Sequence, residues 1–444
     1  MTSSTIESHL ERLRSLPTIR QRCTLVHNLA QQGRLEYFEY HPEAEAKVID
    51  FCSTIMKRDY RSFEEIPPHG RWRHFDTGRE RIDPLLSTWS SRTPSIPKEE
   101  QCARLLDLFL VSVLLDAGAG NAWKYQEQDS AGEYYSRSEG LAIASLDMFK
   151  KGLFSSDPND KERVDAGGLC SLTISQVGTA MQVTSENPMS GLDGRAGLLQ
   201  KLGQALKAGP KYFGEEGRVG NLLHYLKTHT ESQNGATTVH ISKLWEAVML
   251  GLAPIWPTDR TKLNGVPLGD VWRCESLKAA EIQSEGEKSG LEGEVLGLVP
   301  FHKLSQWLTY SLVEPIEKLM GWRFEGMGDM TGLPEYRNGG LLVDLGVLTL
   351  RPNVLSSEFY PDPSSKIPRL PPSHPAIIEW RAITVIELDR IADQLRTKTG
   401  ANLSLVQVLE SATWKGGREI AKQLRGDITG GGPPIEIESD GTVF

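Results

Sequence analysis

Cysteine is scarce and scattered in this chain of 444 residues: Cys23, Cys52, Cys102, Cys170 and Cys274 are odd in number and form no CxxC pair. That pattern argues against a disulfide framework or a structural zinc cluster and fits the reduced thiols of a cytoplasmic protein. The ten histidines are dispersed. The closest pairs, His69 with His74 and His224 with His229, miss the one-turn spacing of two metal ligands on a helix. HExxH, GxSxG, the Walker A lysine loop and GxGxxG after a strand are all missing, so the common zinc-protease, hydrolase and nucleotide-cradle chemistries have no foothold and neither a metal nor a cofactor is expected. Positive charge is also short. A net charge of −9 and a pI near 5.7 exclude the broad basic field of a nucleic-acid binder. The longest apolar run, 105–115, contains Asp107 and is too short for a bilayer, and the N-terminus lacks a basic segment leading into an apolar one. No membrane association is expected.

Helical periodicity dominates what is present. Residues 104–115 are apolar on nearly every side, which marks a central core helix ending at Asp116, where glycines permit a tight exit that delivers Trp123, Lys124 and Tyr125. Ser136 and Glu139 have capping-box spacing for a helix over 140–151 that stops at Gly152. Leu304, Trp307, Leu308, Ser311 and Leu312 recur at helical spacing in a helix that Pro300 can start and Pro315 can bend. Pro375 leads a long helix, with Ile377, Trp380, Thr384, Leu388, Ile391 and Leu395 on one side, which Gly400 closes. Three polar or proline-rich stretches, 155–168, 276–293 and 353–373, read as connectors. None resembles a flexible tether. The expected architecture is mainly α: one composite helical domain over 1–444 with short β elements, in which 1–95 forms an N-terminal helical subdomain at most, 96–425 the main body, and 426–444 a docked tail. The tail alternates apolar and polar residues from Ile435, as a short strand does.

Glu335, Tyr336 and Arg337 set a carboxylate, a phenol and a guanidinium side by side just ahead of an apolar helix. A carboxylate orients water or stabilises a cationic transition state, a tyrosine stacks on a planar ligand, and an arginine grips a phosphate through two donors. The plain alternative is a surface acid and base flanking a half-buried tyrosine. The run Arg71-Trp-Arg-His-Phe75, with Arg79 and Arg81 following, is rich enough in cations and aromatics to bind an anion, or to form a salt-bridged surface.

Taken together, the motifs resemble the fungal and bacterial uracil-catabolism proteins long classed as a domain of unknown function. The resemblance runs through Arg71–Phe75, Leu114–Gly120 with Trp123-Lys-Tyr125, Arg137–Leu141, Gly152–Pro158, Arg218–Leu223, Leu268–Trp272, Val299–Trp307, Leu333–Gly340 and Ser439–Phe444. It implies a role in degrading uracil through a ribosylated intermediate, alongside a phosphoribosyltransferase and a protein similar to GTP cyclohydrolase II, as candidate partners for association. A more distant similarity supplies chemistry. The order Gln306, Asp329-Met-Thr331, Pro334-Glu-Tyr-Arg337 and Leu345-Gly-Val-Leu348 is similar to the queuosine-salvage family, nucleoside 5′-monophosphate N-glycosylases whose helical fold is reminiscent of DNA glycosylases. The acid of that family's Asp-Tyr-Arg run falls where this chain has Glu335, one methylene longer.

Cleavage of an N-glycosidic bond passes through an oxocarbenium-like state that an adjacent carboxylate stabilises while it orients the attacking water. Glu335 is the candidate for that role. Asp116 and Asp329 are the other candidate acids, as its partners or as acceptors for ribose hydroxyls. Arg337, Lys124 and Arg381 are candidates for a 5′-phosphate, and Trp123, Tyr125 and Tyr336 for stacking against the leaving group. The substrate expected is a small nucleotide: ribosylurea 5′-phosphate, giving urea and ribose 5-phosphate, or a related pyrimidine nucleotide. A non-catalytic partner of the neighbouring enzymes and a nucleic-acid glycosylase are the alternatives, the second opposed by the acidic charge.

Overall fold

A computed structural model describes residues 3–116, 118–120, 122–128, 132–233, 235–258, 260–286, 288–361 and 365–438. The architecture is mainly helical, with only short strands. The last residues of the expected tail strand, 439–444, lie outside the described residues. The rest pack as two compact units, each assembled from segments distant in sequence.

The first unit comprises Met1–His69, Pro257–Lys303 and Gly328–Glu438. Its axis is the helix Pro375–Thr399, started by a proline in the first turn and by the His374 imidazole, which accepts from the Ala376 N–H, and ended by Gly400 in the left-handed conformation at φ 69°. Those are the boundaries its proline and glycine predict. Ile377, Trp380, Thr384, Leu388, Ile391 and Leu395 are all buried. Helices Leu16–Gln31, Glu45–Asp59 and Tyr336–Asp344 pack against it. The last of these also packs on helix Trp414–Thr429, where Arg425 donates through both terminal nitrogens to Asp344 at 2.7 and 2.6 Å. Short strands tie distant segments together: Phe38–Tyr40 with Leu348–Leu350, Val271–Arg273 with Leu298–Pro300, and Arg369–Leu370 with Glu436–Ile437. The last pairing docks the described part of the tail.

Two expectations in this unit are corrected. The stretch 276–293 is not a connector, because helices Glu275–Glu285 and Gly290–Val295 occupy it. Its polar composition belongs to the exposed faces of short helices that anchor through Leu277 and Leu291. Pro300 starts no helix; it ends the strand Leu298–Pro300, and the helix begins at Lys303.

The second unit comprises Gly70–Trp256 and Leu304–Met327 among the described residues. Helix Lys98–Leu114 is its core, buried at every position from Gln101 to Leu114, as its all-round apolar sequence requires. Helices Arg71–Phe75, Arg137–Lys150, Leu192–Ala208 and Leu222–Lys227 surround it. Pro315 lies within the helix running from Lys303 to Met320. The capping box expected at Ser136 does not form. Ser136 occupies the cap position of helix Arg137–Lys150, but its side chain makes no cap hydrogen bond, and Arg137 is held at φ 54°. Left-handed backbone at the first helical residue redirects the chain, so the reciprocal bonds of a capping box lose their geometry.

The approach of helices Tyr336–Asp344 and Trp414–Thr429 is close enough to demand glycine. A Cβ placed on buried Gly417 would run into the backbone carbonyl of Arg337. Gly417→Ala is therefore expected to force the two helices apart and to lower stability by about 1–3 kcal/mol in chemical denaturation. A midpoint equal to the parent's would contradict this packing.

Candidate functional site

The segment that leads into helix Tyr336–Asp344 is built to hold one carboxylate. Glu335 is the N-cap: its Oε2 accepts from the Arg337 N–H at 2.7 Å and its Oε1 from the Asn338 N–H at 2.6 Å. These amides have no intrahelical acceptor, and the helix dipole adds to the attraction for negative charge. Asn338 completes the turn by donating its side-chain amide to the Leu333 carbonyl at 2.9 Å. Burial pushes the Glu335 carboxyl above the ordinary glutamate value; the ammonium of Lys303, the two backbone N–H groups and the Arg337 guanidinium oppose that shift without cancelling it. Glu335 remains partly exposed. A desolvated carboxylate with a lone pair left on each oxygen can accept a further hydrogen bond from a water or a sugar hydroxyl that reaches it.

Its neighbours are fixed by different means. Tyr336 is 38% exposed, with the Arg337 guanidinium 5.0 Å from its ring centroid. Arg337 is buried, and its Nη1 donates to the Gly431 carbonyl at 2.9 Å. Asp329 sits in a turn whose flanking carbonyls, those of Gly328 and Met330, accept from Arg20 at 2.9 and 2.8 Å, while Arg20 Nε pairs with Asp389 at 2.7 Å. Arg20 thus clamps the Asp329 turn from both sides.

Arg381 is engaged with protein groups. It donates to both oxygens of Asp270 at 2.8 Å each, and its Nε reaches the Pro334 carbonyl, next to Glu335, at 3.3 Å. Asp270 also accepts from the Trp272 indole at 2.7 Å and from the Lys303 backbone N–H at 2.9 Å. Burial opposes the Asp270 charge, but Arg381 and these donors hold its carboxyl well below the usual range. Arg381 therefore acts as a positioning residue for the Pro334-Glu335 turn.

Asp116, Trp123, Lys124 and Tyr125 belong to the second unit, whereas Glu335, Tyr336, Arg337, Asp329 and Arg381 belong to the first. Asp116 follows the core helix and accepts from Arg71 Nη1 at 2.6 Å. Trp123 is fully buried and donates to the Met181 carbonyl at 2.9 Å. Tyr125 is buried beside it and donates to Asp147 at 2.7 Å. The side chain of Lys124 is exposed, and its backbone N–H goes to Asn187. Trp123 and Tyr125 thus have interior hydrogen bonds that fix them as parts of the unit's packing.

Arg20, Asp270 and Lys303 carry no local signal of these roles. Asp270 and Arg381 are 111 residues apart, and no periodicity links them. Among the described residues, no group of three or more His, Cys, Asp or Glu side chains is arranged to hold a metal ion, and no helix is long and apolar enough to cross a membrane.

Comparison with known proteins adds an independent view. Residues 12–444 match the family model described as "Protein of unknown function (DUF1688)". The chain is 40% identical to Uracil catabolism protein 4 of Lachancea kluyveri over 99% of its own length and 100% of that protein's. It is also 40% identical to Protein urg3 of Schizosaccharomyces pombe, over 98% of each chain.

The ion pair at Asp270 yields a quantitative expectation. Arg381→Met leaves a buried, uncompensated carboxylate, so unfolding stability at neutral pH is expected to fall by about 3–5 kcal/mol, and by much less in the Asp270→Asn, Arg381→Met double variant. Because the folded-state pKa of Asp270 is depressed, its contribution is present above the ordinary Asp value and is lost as pH falls through the folded value. The penalty of the single variant should therefore shrink in acid; equal penalties across that range, measured by urea titration, would refute the assignment.

Proposed function

Since this chain belongs to the DUF1688 family, with full-length relatives of which one is named for uracil catabolism, we propose that it acts in uracil catabolism as a hydrolase of an N-glycosidic bond. The observation that carries the reading is Glu335, a desolvated carboxylate oriented by two backbone N–H groups. In the proposed reaction a water held by Glu335 attacks C1′. Its oxygen forms the new bond, its proton passes to Glu335, and the bond from C1′ to nitrogen breaks with its electron pair going to the nitrogen, which takes a proton from solvent as it leaves; Glu335 returns its proton to solvent afterwards. The ionised carboxylate stabilises the positive charge that develops on the sugar ring. The substrate proposed is ribosylurea 5′-phosphate, yielding urea and ribose 5-phosphate. An intact pyrimidine nucleotide is the related case.

The supporting roles follow from the fixed groups. Arg381, through the Pro334 carbonyl, and Asn338, through the Leu333 carbonyl, hold the turn that carries Glu335. Asp329, in the turn clamped by Arg20, is proposed as an acceptor for ribose hydroxyls, and Tyr336 as a stacking face. Arg337 is the cation proposed for the 5′-phosphate in the first unit; Lys124 and Asp116, of the second unit, are proposed separately as a further cation and a further acid.

A second reading rests on the same carboxylate. Both Glu335 oxygens accept backbone N–H groups, which is a complete helix cap without any chemistry. The chain would then be a binding partner for other proteins of the route.

The two readings separate on Glu335→Gln, assayed for urea, uracil and ribose 5-phosphate released from ribosylurea 5′-phosphate and from UMP. For the hydrolase, turnover by the parent and a loss of about 10²–10³-fold in kcat are expected for the variant, with a loss of stability of about 1–3 kcal/mol because the amide oxygen keeps only one of the two cap bonds and its NH2 group faces the other backbone N–H. Turnover by the parent should rise with pH through a value above that of an ordinary glutamate, since the raised pKa delays formation of the carboxylate. No turnover by the parent, or turnover by Glu335→Gln equal to it, would overturn the hydrolase reading.

A further inference from the structure

The second unit contains a guanidinium whose bonding is complete on all but one edge. Arg71 is fully buried. Its Nε donates to Ser112 Oγ at 2.8 Å and its Nη1 to Asp116 at 2.6 Å, while Nη2 has no hydrogen-bond partner. The acceptors are themselves fixed: Ser112 and Ser145 hydroxyls meet at 2.6 Å, and Ser145 donates on to the Ala142 carbonyl at 2.7 Å. The guanidinium therefore cannot rotate to satisfy Nη2 without abandoning a charged partner and a serine. Its Cζ lies 5.6 Å from the ring centroid of Trp307, whose indole Nε1 is a second buried donor without a partner. Leaving one buried donor unsatisfied costs about 1–3 kcal/mol, and two on adjoining groups point to an acceptor that arrives from outside.

The charge around these donors selects the kind of acceptor. Asp116 already neutralises Arg71, Glu139 is near enough to act on it, and the buried Arg195 is drawn to Asp116 in turn. Two cations and two carboxylates leave little net field for a phosphate dianion. A neutral carbonyl oxygen meets no such repulsion, and the carboxylates supply acceptors for N–H groups beside it. We propose that Arg71 and Trp307 recognise the ureido carbonyl of a ligand, either within an intact pyrimidine ring or in an open ureide. This deepens the reading of a uracil-catabolic enzyme and rests on it for the choice of probes.

The full-length chain should be titrated calorimetrically with uracil, UMP, ribosylurea 5′-phosphate and ribose 5-phosphate, as parent, Trp307→Phe and Arg71→Lys. Trp307→Phe removes the N–H together with part of the indole's volume and keeps one aromatic ring. Affinity for at least one ureido ligand is expected to fall about tenfold in each variant, and the ligand that shows it distinguishes ring from open ureide. Because the phenyl ring leaves part of the indole's volume empty, the thermal midpoint of Trp307→Phe is expected to fall modestly, and affinity is measured well below it, where the variant is folded. The proposal is overturned if the parent binds no ureido ligand, if both variants bind as the parent does, or if ribose 5-phosphate binds with the same dependence on Trp307, which would mark an anion site. Weakened ureide binding in the variants without turnover by the parent keeps this recognition and removes the hydrolase reading. Turnover by the parent with affinity unchanged in both variants does the reverse.

Discussion

The Asp270–Arg381 pair is the constraint on which the architecture of the first unit depends. Desolvating two charges is costly, and the cost is met only because every polar edge is used: Asp270 takes two bonds from Arg381, one from Trp272 and one from the Lys303 backbone. Those partners come from a strand, from the first turn of a second helix and from the second turn of the long helix Pro375–Thr399. Arg381 then extends to Pro334. A single buried pair thus sets the register of several segments and the position of the turn bearing Glu335.

A second pattern is the use of arginine to hold backbone carbonyls. Arg20 spans the Asp329 turn, Arg337 reaches Gly431, and Arg425 combines the Asp344 carboxylate with the Gly432 carbonyl. The planar fork has enough donors to fasten loops that lack regular secondary structure. This explains how a chain with so many irregular connections keeps defined turns around its acidic side chains.

The long helices were legible because periodicity, proline and glycine agree there. Residues 375–400 and the core helix ending before Asp116 follow directly from their apolar positions and end signals. The helices over Glu275–Glu285 and Gly290–Val295 were missed because each buries only a narrow face, so composition resembles that of a loop. Ser136 misled for a different reason: capping spacing carries no sign of the left-handed backbone at Arg137. At the candidate site, Glu335 was visible as an acid at the start of an apolar helix. Asp270 and Lys303 were not, because ion pairing and desolvation join residues that share no sequence period.

The capping role of Glu335 also makes the helix it begins a sensor of its own occupancy. Two backbone amides, those of Arg337 and Asn338, are bonded to the carboxylate alone at the helix start. Any molecule that donates hydrogen bonds to the Glu335 oxygens competes with these amides, and any that seals the turn from water shields them. Their exchange with solvent deuterium therefore reports on this one side chain without a label, a coupled assay or a known product.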